Sequence, residues 1–301
     1  MSSAINSPSS WQLIFEDEFE TLNHTTWAVA DNFTHTWPYS GRDELQLYTK
    51  DEVFIQNGSL ALRTRHRPNV VRKYGNSGKN FTSGWIDSSV GGTAYHALNE
   101  VLGITGAAGH RAMDAGRLAN RGFSALHGRF EWRAKLPSGA TFPTIWPALW
   151  MMPEPTTTVP RNLCWPAAGE IDVLEMWGGL RGSQATATLH YSAGPNACGA
   201  SHDLSNGHVG VLPNTTRGDP PIDFSMAFHT FAVEWTAEQF KFSVDDKVIG
   251  ATKAPPAFRS PFYLIMNVAI CGGKWCDTGS MPIQSDAVML VDYVRVYKGV
   301  A

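Results

Sequence analysis

Charged residues are scarce. They make up 17% of the chain, and 24 Lys and Arg against 27 Asp and Glu leave a net charge of −3. That balance offers no basic footprint for nucleic acid or another polyanion. No apolar run approaches the ~20 residues of a membrane-spanning helix, so no membrane role is expected. The four cysteines are too few to build a disulfide scaffold. Cys271 and Cys276 flank a Gly-rich turn and Cys164 and Cys198 are left to pair with each other, but all three pairings, or buried free thiols, fit the sequence. No histidine stands at ligand spacing to either cysteine pair, which argues against a zinc site. Residues 1–10 have neither a basic start nor an apolar stretch, and they read as a Ser-rich lead-in rather than a signal peptide. Acceptor sequons at Asn23, Asn32, Asn57, Asn80 and Asn214 nevertheless favour an extracellular protein whose signal peptide has been removed.

Long helical periodicity is also missing. In its place come short β-branched or aromatic runs bounded by Gly, Pro, Asn and Asp: Trp11–Phe15, Val53–Ile55, Leu60–Thr64, Gly128–Ala134, Gln184–Tyr191, His229–Trp235, Phe240–Val244, Phe262–Val268 and Leu290–Tyr297. Most alternate, as in Arg129-Phe130-Glu131-Trp132-Arg133-Ala134. The pattern predicts an all-β fold, a jelly-roll sandwich of two antiparallel sheets. Asn57-Gly58 and Asp245-Asp246 mark hairpin turns. With no repeat and no low-complexity linker, residues 11–301 read as one domain. Two stretches read as insertions that wall a cleft: residues 89–116, with a short helix over Ala94–Leu102, and the polar residues 192–224.

Against this background Gly169-Glu170-Ile171-Asp172-Val173-Leu174-Glu175 stands out. Its β-branched and apolar residues make a strand, and period 2 puts Glu170 and Asp172 on one face. Glu175 has the wrong parity and would enter the core, where an unpaired carboxylate is costly. One extra residue at Val173-Leu174, a β-bulge, returns it to its partners. A lone Glu-x-Asp is usually part of a solvated face. Three acids in a row among Trp146, Trp150, Trp165 and Trp177 are better explained by a sugar cleft, because tryptophans stack on pyranose rings and glycoside hydrolysis needs paired carboxylates.

The ordered motifs resemble glycoside hydrolase family 16, and within it the endo-1,3-β-glucanases or laminarinases. They are Phe15-Glu-Asp-Glu-Phe19, Asp43-Glu-Leu-Gln-Leu-Tyr-Thr49, Phe81-Thr-Ser-Gly84, Gly128–Pro137, Trp146-Pro-Ala-x-Trp150, Glu170–Glu175, Leu189-His190, Asn267-Val-Ala269 and Val291–Tyr297. The resemblance implies a concave cleft in a single catalytic domain, with Glu170 as nucleophile, Glu175 as general acid/base and Asp172 between them. It implies substrate contacts from Trp146, Trp150, Trp165, His190, Arg117 and Asp43. Trp150 suits core packing nearly as well, and Trp27, Trp132 and Trp235 read as core. Asp43 replaces the family's asparagine, so it accepts a sugar hydroxyl without donating an amide hydrogen.

The resemblance also implies a structural calcium on Glu18, the Gly58 carbonyl and Asp292, and no cofactor for catalysis. The expected partner is a β-1,3-glucan and the expected state a monomer. Mixed-linkage glucan, a sulfated galactan, transglycosylation and a non-catalytic glucan lectin are the alternatives. Retention of all three acids favours hydrolysis over the lectin.

Overall fold

Runs that alternate apolar and polar side chains fold as strands because one face of a sheet can then enter a core while the other stays solvated. The fold was obtained as a computed structural model, which describes residues 8–31, 44–67, 69, 81–89, 122–154, 166–178, 185–192, 204–212, 222–271 and 285–300. These residues form eighteen strands. They are β1 (Ser10–Asp17), β2 (Ala28–Val29), β3 (Gln46–Tyr48), β4 (Val53–Gln56), β5 (Ser59–His66), β6 (Phe81–Ser83), β7 (Trp85–Asp87), β8 (Ser124–Ala125) and β9 (Gly128–Lys135). After them come β10 (Ile145–Pro153), β11 (Glu170–Met176), β12 (Ala185–Ser192), β13 (Leu204–Leu212), β14 (His229–Trp235), β15 (Gln239–Val244), β16 (Lys247–Lys253), β17 (Phe262–Ile270) and β18 (Ala287–Val300).

Two sheets result. One runs β16-β15-β14-β9-β18-β5-β6-β3, with β1 added to β18 and β4 to β5. The other runs β13-β12-β11-β10-β17-β7-β2, with β8 added to β17. Pairing is antiparallel as expected, with one correction: β3 runs parallel to β6. Phe130, Trp132, Val294 and Val296 from the first sheet and Leu149, Met151, Ile171, Leu174, Leu264 and Met266 from the second share one buried core. Trp27, Trp132 and Trp235 are buried, as read from the sequence. Both expected hairpin turns form. Asn57 and Gly58 have φ of 51° and 72°, and Asp245 and Asp246 have 47° and 60°. Positive φ at both central residues is the type I′ geometry, whose twist matches that of the flanking strands.

The segment 192–224 is corrected in part. Leu204–Leu212 is strand β13, paired along its length with β12. Its glycines hid it. At Gly210 an added Cβ would lie 2.8 Å from Ile249 Cγ1, and at Gly250 one would lie 1.9 Å from the Val209 carbonyl oxygen. Bare backbone is therefore what lets β13 and β16 meet where the two sheets close on each other. The helix expected over Ala94–Leu102 lies outside the described residues.

Candidate active site

Strand β11 carries the acids, and its register contains the expected bulge. On one side Glu170 faces His190, Asp172 faces Thr188, and after a shift Glu175 faces Thr186. On the other side Trp150 faces Asp172, Leu149 faces Leu174 and Ala148 faces Glu175, so Val173 is the extra residue. Ile171 and Leu174 enter the core. Glu170, Asp172 and Glu175 all line one cleft together with Glu44, Trp85, Trp146, Ala148, Trp150, Asn267 and Ala269. Glu170 and Asp172 are each 3% exposed, so their charges are held out of bulk water.

His190, on β12, answers part of that burial. Its Nε2 is 2.9 Å from Asp172 Oδ2 and 3.6 Å from Glu170 Oε1. The Asp172 contact is an ion pair rather than an aligned hydrogen bond. Burial alone lowers the imidazole pKa, but the fields of Glu170, Asp172 and Glu175 outweigh it and raise the value to about 10. The ring is thus an imidazolium at neutral pH. The Glu170, Asp172 and His190 ligand atoms lie within 4.8 Å of one another, but a cationic ring repels a metal ion rather than binding it. The sequence resemblance implied a substrate contact for His190. The structure seats it directly opposite Glu170.

The floor comes from β10 and β17. Ile145, Leu149 and Met151 point inward, which sends Trp146, Ala148 and Trp150 to the cleft. Trp150 is both a cleft and a packing residue: its ring meets Trp85 edge-on at 5.4 Å, and its Nε1 donates to Asn267 Oδ1 at 2.7 Å. Asn267 Nδ2 donates onward to the Tyr48 hydroxyl at 2.8 Å, which donates to Glu44 Oε2 at 3.0 Å. Gln46 donates to the same Glu44 oxygen and accepts from the Ile270 amide. Burial first, and Glu44 second, push the Tyr48 phenol well above its usual range, so it keeps the proton it donates. The sequence reading gave Glu44, Trp85 and Asn267 no role. Glu44 directly follows Asp43, and Asn267 shares its parity with Ala269, yet what joins them is a contact 219 residues long that no local pattern contains.

Residues 47–294 match the family model of Glycosyl hydrolases family 16. The chain belongs to that family. It is 31% identical to a β-glucanase of Rhodothermus marinus over 96% of this chain and 86% of the relative. It is 30% identical to the glucan endo-1,3-β-glucosidase A1 of Niallia circulans over 95% of this chain, which spans 38% of that longer protein. Its fold matches the laminarinase catalytic domain of Thermotoga maritima MSB8 with a TM-score of 0.65 at 27% identity, covering 97% of this chain and all of that one.

Other positions expected of a family 16 hydrolase fall into two groups. Asp43, Arg117, Trp165, Cys164, Cys198 and Cys276 lie outside the described residues, as do the sequons at Asn32, Asn80 and Asn214. Cys271 is disulfide-bonded, which removes the free-thiol reading for that residue. The calcium set converges in part. Strand β18 leaves β5 at Val291 opposite Leu60 and joins β1 at Val294 opposite Asp17, so Asp292 sits near the Gly58 turn and Glu18. Oxygen donors suit calcium, but Glu18 accepts two hydrogen bonds from Arg295, at 3.0 and 2.7 Å, and Asp292 pairs with Arg133. Two guanidiniums already neutralise these carboxylates, so the set as arranged does not fit a dication. A roomier cavity of about 270 Å³ opens among Arg63, Arg65, Arg67, Asp51 and Glu52. Its chemistry is structural: Glu52 binds Arg63 at 2.7 Å and Asp286 pairs with Arg65 at 2.9 Å.

Proposed function

We propose that the protein is a retaining endo-1,3-β-glucanase that cuts laminarin-like glucans through a covalent glycosyl-enzyme. The observation that carries this is the Val173 bulge, which puts Glu170 and Glu175 on the same cleft face. Glu170, ionised, attacks the anomeric carbon while Glu175, protonated, gives its proton to the leaving glycosidic oxygen. Glu175, now a carboxylate, then takes a proton from water, which attacks the same carbon and frees Glu170. The His190 cation lies 3.6 Å from Glu170, where its charge balances the nucleophile's, and Asp172 at 2.9 Å holds the ring there. No step draws on a metal or cofactor.

Substrate class follows from the lining. Tryptophan faces suit pyranose rings. The described lining holds four carboxylates and no Lys or Arg, which disfavours a sulfated galactan. One chain supplies the whole acid row, so a monomer over residues 11–301 is sufficient. Extracellular action is supported by the disulfide at Cys271 and by exposed sequon asparagines at Asn23 and Asn57. No described helix is long and apolar enough to cross a membrane.

The test is release of reducing ends from laminarin by the wild type beside Glu170→Gln. Release by the wild type alone supports the proposal. Retained glucan binding without release by either protein would favour the lectin. Cleavage of mixed-linkage glucan in preference to laminarin would reassign the substrate.

A further inference from the structure

We infer that Trp177 is a positioning residue for the acid/base, acting through Trp146; the inference rests on the glucanase reading above. Residue 177 follows the end of β11, where the Gly178 amide still donates to the Ile145 carbonyl at 2.9 Å and prolongs the pairing with β10. Ala148 faces Glu175, so two residues on in that register Trp146 faces Trp177. Their rings stack at 4.1 Å with 25° between planes. Trp146 Nε1 in turn donates to Glu175 Oε1 at 3.1 Å.

The two flanks of Trp146 are unequal. On its β17 side it rests on Ala269 and the disulfide-bonded Cys271, which offer no aromatic face, and on the other side on the Trp177 indole. Contacts without an aromatic face leave the ring plane less defined, whereas an offset stack restricts it. Trp146 lines the cleft among the acids, and the half-buried Trp177 stacks on it. The Trp177 ring thus reaches the acid/base through Trp146.

Orientation matters because an N–H donates to an oxygen lone pair. In the carboxylic acid form, the Trp146 bond makes Oε1 the carbonyl oxygen and assigns the transferable proton to Oε2. In the carboxylate form the same bond is stronger, because its acceptor is charged. It therefore eases proton departure.

The experiment is the pH dependence of kcat and kcat/KM on laminarin for Trp177→Ala, Trp177→Phe, Trp146→Phe and the double variant Trp146→Phe/Trp177→Ala. Thermal midpoints should confirm that each is folded. Trp177→Ala should lower kcat about tenfold, a fraction of what general acid catalysis contributes, with KM within about twofold. The alkaline limb should move up by as much as about one pH unit as the N–H bond weakens. Trp177→Phe should restore most of both. Trp146→Phe should move the limb the same way, and adding Trp177→Ala to it should move it no further.

A raised KM with unchanged kcat and pH profile would overturn the inference and make Trp177 a sugar platform. Additive limb shifts in the double variant would overturn it as well. Carbon-13 titration of the Glu175 carboxyl, wild type against Trp177→Ala, reads the coupling without turnover. An inactive wild type would therefore defeat the glucanase reading alone, while an unshifted Glu175 titration would defeat this one.

Discussion

His190 Nε2 lies 2.9 Å from Asp172 Oδ2, close enough for one imidazolium to offset a row of buried carboxylates. The folded ring has its pKa raised to about 10, against roughly 6.5 in an unfolded chain. A raised folded pKa contributes stability that is fully present below pH 6.5 and is lost as pH climbs towards 10. The difference in unfolding free energy between wild type and His190→Gln should therefore be largest below pH 6.5 and shrink steadily to pH 10. Denaturant titrations at five or six pH values would check it, and a difference independent of pH would refute the charged ring.

Deleting Val173 tests the bulge. Without the extra residue the run Glu-Ile-Asp-Leu-Glu alternates uninterrupted, so Leu174 keeps the core parity and Glu175 the cleft parity, now without a bulge. Laminarin hydrolysis should fall about a hundredfold yet persist, because Glu175 keeps its face while its spacing from Glu170 changes, and stability should fall by about 2 kcal/mol as the buried Val173 side chain is lost. A loss as complete as that of Glu175→Gln would show that removing Val173 takes Glu175 off the cleft face.

Asn267→Ala should cost about 2 kcal/mol, because it orphans the Trp150 N–H and one hydrogen-bond partner of the Tyr48 hydroxyl in a buried site. Asn267→Asp keeps the acceptor for Trp150 but replaces the donor to Tyr48 with a carboxylate facing Glu44 through the phenol. It should be the more destabilised of the two at neutral pH. Urea unfolding of both variants would decide, and equal stability with the wild type would remove the relay from the account of the cleft.

Calcium should have little effect. A site with a dissociation constant near 10 μM would, at about 1 mM ion, add roughly 2.7 kcal/mol and several degrees to the melting midpoint. Because Arg295 and Arg133 already occupy Glu18 and Asp292, the midpoint in calcium should match that in chelator to within about 1 °C. A rise of 5 °C or more would mean that the two carboxylates leave their arginines for the ion.

How much could be read from the residues depended on range. The acid row, its bulge and both type I′ turns depend on neighbours in sequence, and each was legible in a run of a few residues. Strand β13 was not, since Asn206, Gly207 and Gly210 carry loop signals and the close approach of β16 that explains Gly210 comes from a distant part of the chain. The Glu44-Tyr48-Asn267-Trp150 chain was hidden for the same reason. Parity shows that Trp150 faces the cleft, but only the pairing of β10 with β17 supplies a partner for its indole N–H. His190 lay between these cases: its polar face was readable from Thr186 and Thr188, and its place opposite Glu170 was not.

Strand β18 has a consequence for how the molecule is assembled. It pairs with β9 along one side and with β5 and then β1 along the other, matching Ser10 to Val300. Until residue 300 has been synthesised and has cleared the ribosome, β1 has no described neighbour in its sheet and β5 and β9 lack the strand between them. The nascent chain must therefore wait with β1 unpaired and with β5 and β9 each open along one edge, and the waiting polypeptide is the form most open to aggregation and to chaperones.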